Sequence, residues 1–221
     1  MKQDTSSMQP QQRFQTIHLV FPFNIVTQCI DANSNLYVMN EHNTLVTFSF
    51  RTNTITSSHA LPLGTTSISI SPGSTYLITK SQSTLFIFSL PSFTFIHRLD
   101  NVMDFVWSND SFASDQQILV LFHNEVKSFR LVTGTGTPTM ELLGSVSVFG
   151  KHILVDSHLS TACVFDKNRN ALTTFSPSLQ TAPAELVFDA PFDAIAFCKA
   201  QLYLLRGNTL VRNSDKREMH L

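Results

Sequence analysis

The chain has 221 residues, of which 43% are hydrophobic and only 14% charged, and its net charge is −1. That length suits one sizeable core and is too short for two large domains. The balanced charge supplies no clustered cations for phosphate, so nucleic acid is excluded as an expected partner. The one basic cluster, Lys216-Arg217 with Arg212 nearby, lies at the C-terminal end and reads as solvated tail.

Residues 1–13 are polar and rich in Gln and Ser, which predicts a disordered tail and no secretory leader. No apolar run reaches the roughly 18 residues of a membrane-spanning helix. The first strand-rich unit is expected at Ile25–Ile30, Leu36–Asn40, Thr44–Phe50 and Thr54–His59, separated by turns such as Asp31-Ala32-Asn33-Ser34-Asn35. Along the third of these strands Leu45, Thr47 and Ser49 alternate with Val46, Phe48 and Phe50. Period-2 patterning of this kind belongs to a strand.

The second unit repeats the first. Residues 35–55 match residues 75–95 at one offset of 40, with Thr44/Thr84, Leu45/Leu85, Phe48/Phe88, Ser49/Ser89 and Thr54/Thr94 identical. Its strands are expected at Ser67–Ser71, Thr75–Lys80, Thr84–Leu90 and Phe93–Leu99, with Pro72-Gly73 in the first turn. The third unit is looser. Asp104-Phe105-Val106-Trp107 opens it, and Gln117–Phe122 and Glu125–Leu131 follow before a flexible Thr133–Pro138 connection. Trp107 occupies the place of Ile30 and Ile70, which makes it inter-unit packing. A fourth unit is expected at His152–Asp156, Thr161–Phe165 and Ala171–Phe175, and a fifth at Asp193–Cys198, Leu202–Leu205 and Thr209–Val211.

Units of about 40 residues built from short strands predict an all-β fold, a WD40-like β-propeller. Between four and five blades are counted, so the propeller is expected to be incomplete. The alternative is a small closed ring in which residues 14–20 complete the last blade. The expected layout is a tail over 1–13, a partial propeller over 14–212 and a charged tail over 213–221.

Residue patterns that would carry chemistry are missing or weak. Eight histidines occur with no His-Glu-x-x-His or His-x-His spacing, so no metal site is expected. Asp156-Ser157-His158 holds the residue types of a serine triad, but the three are contiguous and no Gly-x-Ser-x-Gly occurs, so a polar turn is the better reading. Gly134-Thr135-Gly136 lacks the third glycine and the lysine of a phosphate loop. Asn109-Asp110-Ser111 is formally a glycosylation acceptor, discounted without a leader. Cys29, Cys163 and Cys198 are odd in number and widely spaced, which fits buried thiols in a reducing compartment. The expectation is a chain that is not an enzyme, with no catalytic residues, no cofactor and no metal. The position of its binding surface stays open.

A resemblance sharpens this. The motifs are Asn24–Asp31, Ser69-Ile70-Ser71-Pro72-Gly73-Ser74-Thr75-Tyr76-Leu77-Ile78, Met103-Asp104-Phe105-Val106-Trp107-Ser108, Gln117-Ile118-Leu119-Val120, Val126–Leu131, Phe192-Asp193-Ala194-Ile195-Ala196 and Gln201-Leu202-Tyr203-Leu204-Leu205. Their order resembles the N-terminal region of the Bulli family, also described as the colon-cancer-associated Mic-like family. The resemblance implies a propeller that acts as an accessory subunit of the Mon–Ccz complex, the nucleotide exchange factor of the late-endosomal Rab GTPase. It further implies a role in endosome maturation, lysosome fusion and autophagy, with peripheral membrane placement through partners. The family's helical C-terminal domain has no counterpart in these residues. Diverged blades of vesicle tethers share many of these patterns, so an interaction module of a tether, coat or ubiquitin-ligase adaptor is the alternative.

Overall fold

A computed structural model describes residues 19–108, 116–132, 138–156, 161–179, 182–198, 201–212 and 218–220. Among these residues every regular element is a β-strand, and the strands form five antiparallel four-stranded sheets in chain order. The first sheet is β1 (Ile25–Ile30), β2 (Asn35–Asn40), β3 (Thr44–Ser49) and β4 (Thr54–Ala60). The second is β5 (Thr65–Ile70), β6 (Tyr76–Ser81), β7 (Thr84–Ser89) and β8 (Thr94–Leu99). The third is β9 (Asp104–Ser108), β10 (Gln116–Leu121), β11 (Glu125–Val132) and β12 (Thr139–Ser147). The fourth is β13 (His152–Asp156), β14 (Thr161–Asp166), β15 (Ala171–Phe175) and β16 (Ala184–Val187). The fifth is β17 (Ala194–Cys198), β18 (Gln201–Arg206), β19 (Thr209–Arg212) and β20 (Glu218–His220).

The 40-residue repeat is visible atom by atom. Ile30, Leu36, Phe48 and Ile55 stand opposite one another across the four strands of the first sheet. Ile70, Leu77, Phe88 and Phe95 do the same in the second, and Trp107, Ile118, Phe129 and Leu142 in the third. A β-bulge interrupts the pairing of the third and fourth strands just before the phenylalanine of each row, at Thr47/Phe48, Ile87/Phe88 and Ser128/Phe129. Left-handed turn residues recur as well: Ser34 and Ser74 have φ of 62° and 58°, and Asn53 and Phe93 have φ of 56° and 53°.

Each sheet is too thin to bury its own side chains, so the core lies between sheets. Tyr37, Met39 and Leu45 of the first sheet pack on Ile68, Leu77 and Phe88 of the second. Tyr76, Ile78, Leu85 and Ile87 then pack on Trp107, Ile118 and Phe129 of the third. Leu119, Leu121 and Val126 meet Ile153, Ala162 and Val164 of the fourth, and Cys163, Phe165 and Leu172 meet Phe192 and Leu204 at the fifth. Polar ties cross the same junctions. The Ala32 amide donates to Ser74 Oγ at 3.0 Å, the Gly73 amide to Gln116 Oε1 at 3.0 Å, and the Ile153 amide to Asp104 Oδ2 at 3.2 Å. Lys80 Nζ reaches the Met103 carbonyl. Lys167 Nζ pairs with Asp193 at 3.4 Å across the last junction.

Three outermost strands were not expected. β12 occupies residues after the flexible connection to which no element was assigned, β16 completes a sheet for which three strands were read, and β20 pairs with β19 where a charged tail over 213–221 was expected. Residues 1–13 and 14–18, and with them the disordered-tail expectation, lie outside the described residues. Leu19 and Phe21, assigned in one alternative to the last blade, pack with Phe23 and Phe50 on Leu36, Val38 and Phe48 of the first sheet.

Trp107 takes the expected inter-sheet place. It is buried in the second–third junction, and its Nε1 donates to Ser69 Oγ at 3.0 Å. Truncation there opens a large cavity between two sheets, so Trp107→Ala should lower unfolding free energy by about 3–5 kcal/mol. Urea denaturation would measure this, and a loss within about 0.5 kcal/mol, typical of surface substitutions, would contradict the packing role.

Candidate interaction surfaces

Titratable groups do not gather into a reaction centre among the described residues, and no three His, Cys, Asp or Glu side chains there converge as metal ligands. Asp156 lies at the end of β13, buried, while Ser157 and His158 fall outside the described residues. So do Asn109-Asp110-Ser111 and Gly134-Thr135-Gly136. The clustered polar groups that are described stabilise turns. Asp31 accepts from the Asn33 and Asn35 amides at 2.8 Å each, from Asn35 Nδ2 at 2.9 Å and from the Tyr37 hydroxyl at 3.3 Å. Ser71, its counterpart one repeat on, accepts from the Thr75 and Tyr76 amides at 3.2 and 3.1 Å. Asn40 Oδ1 caps the next turn by accepting from the His42 and Thr44 amides.

Two of the three thiols are described as free, Cys29 partly and Cys163 fully buried. Burial pushes both up from 9.0 to about 12, with the Asp31 charge adding to Cys29 and the Asp156 charge to Cys163. Tyr37 is shifted upward by burial too, and then by Asp31. These are inert core groups, since the nucleophile is the thiolate and it is suppressed here.

What the fold offers a partner is relief between sheets. A groove of about 230 Å³ lies at the first–second junction, between β4 and the β7–β8 turn. Phe93 forms one wall. Its ring stacks on His59 at 4.2 Å and on Phe88 at 4.6 Å. Thr56, Ser57 and Asn35 add hydroxyl and amide groups to the lining. At φ of 53° Phe93 holds a left-handed backbone that a bulky side chain rarely adopts. The first repeat places Asn53 there, a residue that suits the conformation. The strain at Phe93 is offset by its two stacked neighbours, and strained residues of this kind collect at functional surfaces. A second, shallower hollow of about 420 Å³ is lined by Asn101, Phe122, His123, Asn124, Glu125 and Ser147. Sequence reasoning missed the groove because Asn35 comes from β2, His59 from β4 and Phe93 from the β7–β8 turn of the next repeat. The available signal was the departure from the repeat, Phe93 for Asn53.

The arrangement of sheets defines the class: the chain has the WD40-like β-propeller fold. It superposes over its whole length on 66% of a chain in the complex of the fission yeast SREBP–SCAP binding domains, with a TM-score of 0.69 at 14% identity. Over 90% of its length it matches 55% of the WD40 domain of SCAP from fission yeast, at 0.67 and 14%. Kuenenia stuttgartiensis hydrazine synthase matches 95% of the chain and 69% of its own at 0.58 and 10%. The chain therefore spans between a half and two thirds of the two SCAP-related structures. No family model matches it, and no curated protein does.

The thiols predict a pH response. A thiol that titrates higher in the folded chain than in the unfolded one favours folding below the unfolded value, and that advantage is lost as pH rises from 9.0 towards about 12. Urea midpoints should fall between pH 8 and pH 10, and Cys29→Ser with Cys163→Ala should flatten that fall. Native protein should also resist thiol-specific alkylation at both positions at pH 8. Rapid modification without unfolding would contradict it.

Proposed function

We propose that the chain is a non-enzymatic β-propeller interaction module, a scaffold subunit that offers its turns and inter-sheet grooves to protein partners. The observation that carries this reading is the division of side chains. Between neighbouring sheets the facing side chains are committed to one another, and the strained, stacked Phe93 groove is a hollow among the described residues that stays open to a ligand. The fold alone does not decide function, since it also occurs in hydrazine synthase. A structural neighbour captured as a complex of SREBP–SCAP binding domains supports protein partnership as the use of this fold.

The assembly favoured is the Mon–Ccz exchange complex of the late-endosomal Rab GTPase, on the resemblance carried by Met103–Ser108 and the segments around it. The chain then belongs on late endosomes and lysosomes, held there by its partners, and serves endosome maturation and autophagy. The second reading, a propeller of another tether, coat or ubiquitin-ligase adaptor, is favoured by the generic strand patterns it shares with tethering subunits.

Affinity purification of the tagged chain should recover both Mon–Ccz subunits, and its loss should lower the GTP-bound fraction of the Rab. Phe93→Asn, which restores the residue of the first repeat, should leave the thermal melt unchanged within a few degrees while weakening capture. Recovery of other tether or coat subunits without the Mon–Ccz pair would select the second reading.

A further inference from the structure

The outer face of the first sheet is one half of a sheet-to-sheet junction. Its row Ile30, Leu36, Phe48 and Ile55 is the repeat of Ile70, Leu77, Phe88 and Phe95, and of Trp107, Ile118, Phe129 and Leu142. In the second and third sheets the first three members of those rows lie against the sheet before, while the outer-strand members Phe95 and Leu142 stay 53% and 58% exposed. In the first sheet, among the described residues, the strap Leu19, Phe21 and Phe23 packs on Leu36, Val38 and Phe48. Ile30 is left 62% exposed, whereas its counterpart Trp107 is 7% exposed in the second–third junction.

The fifth sheet carries the other half. Leu204 and Val211 point towards the fourth sheet, so Tyr203, Leu205 and Leu210 point away from it. These three repeat Tyr37, Met39 and Leu45. Leu205 stands opposite Leu210 as Met39 stands opposite Leu45. The hairpins read Leu36-Tyr37-Val38-Met39 then Thr44-Leu45-Val46, and Leu202-Tyr203-Leu204-Leu205 then Thr209-Leu210-Val211. In the first sheet that trio is buried against Leu77 and Phe88 of the second. The fifth sheet thus holds a face built like the first sheet's inner face, and the first sheet a row built like the one that face accepts. Among the described residues no core cluster joins the fifth sheet to the first within one molecule.

We propose that the fifth sheet of one copy docks on the first sheet of a second copy, head to tail, with Tyr203, Leu205 and Leu210 seated on Ile30, Leu36 and Phe48. The strap residues Phe21 and Phe23 leave the middle of the row as the incoming sheet arrives. The contact is heterologous, so each copy keeps one donor and one acceptor face and assembly continues beyond a pair unless the ring closes. This inference is independent of the partner assembly proposed above.

Sedimentation of the purified 221-residue chain tests it. The wild type should gain mass steadily with concentration. Ile30→Asp breaks the acceptor row and Leu210→Asp the donor face, each by setting an unpaired charge into an apolar contact. Each variant alone should associate at least about tenfold more weakly than the wild type. Mixed together, they should form one-to-one pairs and nothing larger, because one intact donor then meets one intact acceptor. Ile30→Lys and Leu205→Asp replace either variant whose circular dichroism or melt departs from the wild type. A wild type that stays monomeric up to its solubility limit overturns the proposal, as do variants that associate like the wild type or a mixture that stays monomeric. A monomer in which both faces are protected from hydrogen exchange also overturns it, since the chain would then close on itself.

Discussion

The structure depends on one contact, a row of large apolar side chains across the three inner strands of a sheet, laid on the sheet before it. Ile70, Leu77 and Phe88 form one such row, and Trp107, Ile118 and Phe129 another. Single sheets in this arrangement have no interior, so apolar side chains are buried between sheets. Each fully buried member of a row contributes about 1.5–3 kcal/mol through removal of apolar surface from water. The bulge before each phenylalanine belongs to the same device. It adds local twist, which turns the outer strand relative to the inner ones and keeps its edge from pairing with another chain.

Apolar contact has no direction, so rows alone would let adjacent sheets slide. The polar ties set the angle. Gly73 is held by Gln116 at 3.0 Å and Trp107 by Ser69 at 3.0 Å, both across the second–third junction. At the last junction Asp193 takes the Gly207 amide at 2.9 Å and also meets Lys167. The Gly207 bond and then the lysine hold that carboxyl below its usual range. Most of these ties involve a turn residue on one side, which is why the turns keep Asp, Ser and Asn at corresponding places while the strands drift.

The inner strands were legible from the sequence because they are half or fully buried and alternate. Phe48 and Phe88, Leu45 and Leu85, and Trp107 in the place of Ile70 could all be placed before any coordinates. The outermost strands were not. β16 is exposed along its length, so Ala184–Val187 has no buried face to betray it. β12 runs Thr139–Ser147 with an irregular register at Ser128/Phe129, which breaks the period-2 signal. β20 is three residues long, too short for alternation to mark it as a strand. The strap from Leu19 to Phe23 looked like the start of a strand, and its docking on Leu36 and Phe48 depends on a contact that sequence separation hides. The groove beside Phe93 was hidden for the same reason, since its walls come from two repeats.

The same physics explains why the fold is plain in shape and faint in sequence. A junction asks only for apolar side chains of about the right summed volume at three positions in register, and Ile, Leu, Phe and Trp satisfy it interchangeably when neighbours repack. The first three sheets already show the latitude: Ile30, Ile70 and Trp107 hold one position, and Leu36, Leu77 and Ile118 another. Two chains built on this rule can share a TM-score of 0.69 at 14% identity, as this chain and the SREBP–SCAP structure do. Residues that a family would share must therefore be sought where volume is not enough, at the left-handed turns, the polar ties and the aromatic groove. Phe93 is the clearest of these, because no packing rule of the sheet asks for a phenylalanine at φ of 53°, and the repeat itself shows that asparagine serves the turn. Its presence is best accounted for by what its ring contacts, the His59 ring of the first sheet and the Phe88 ring of the second.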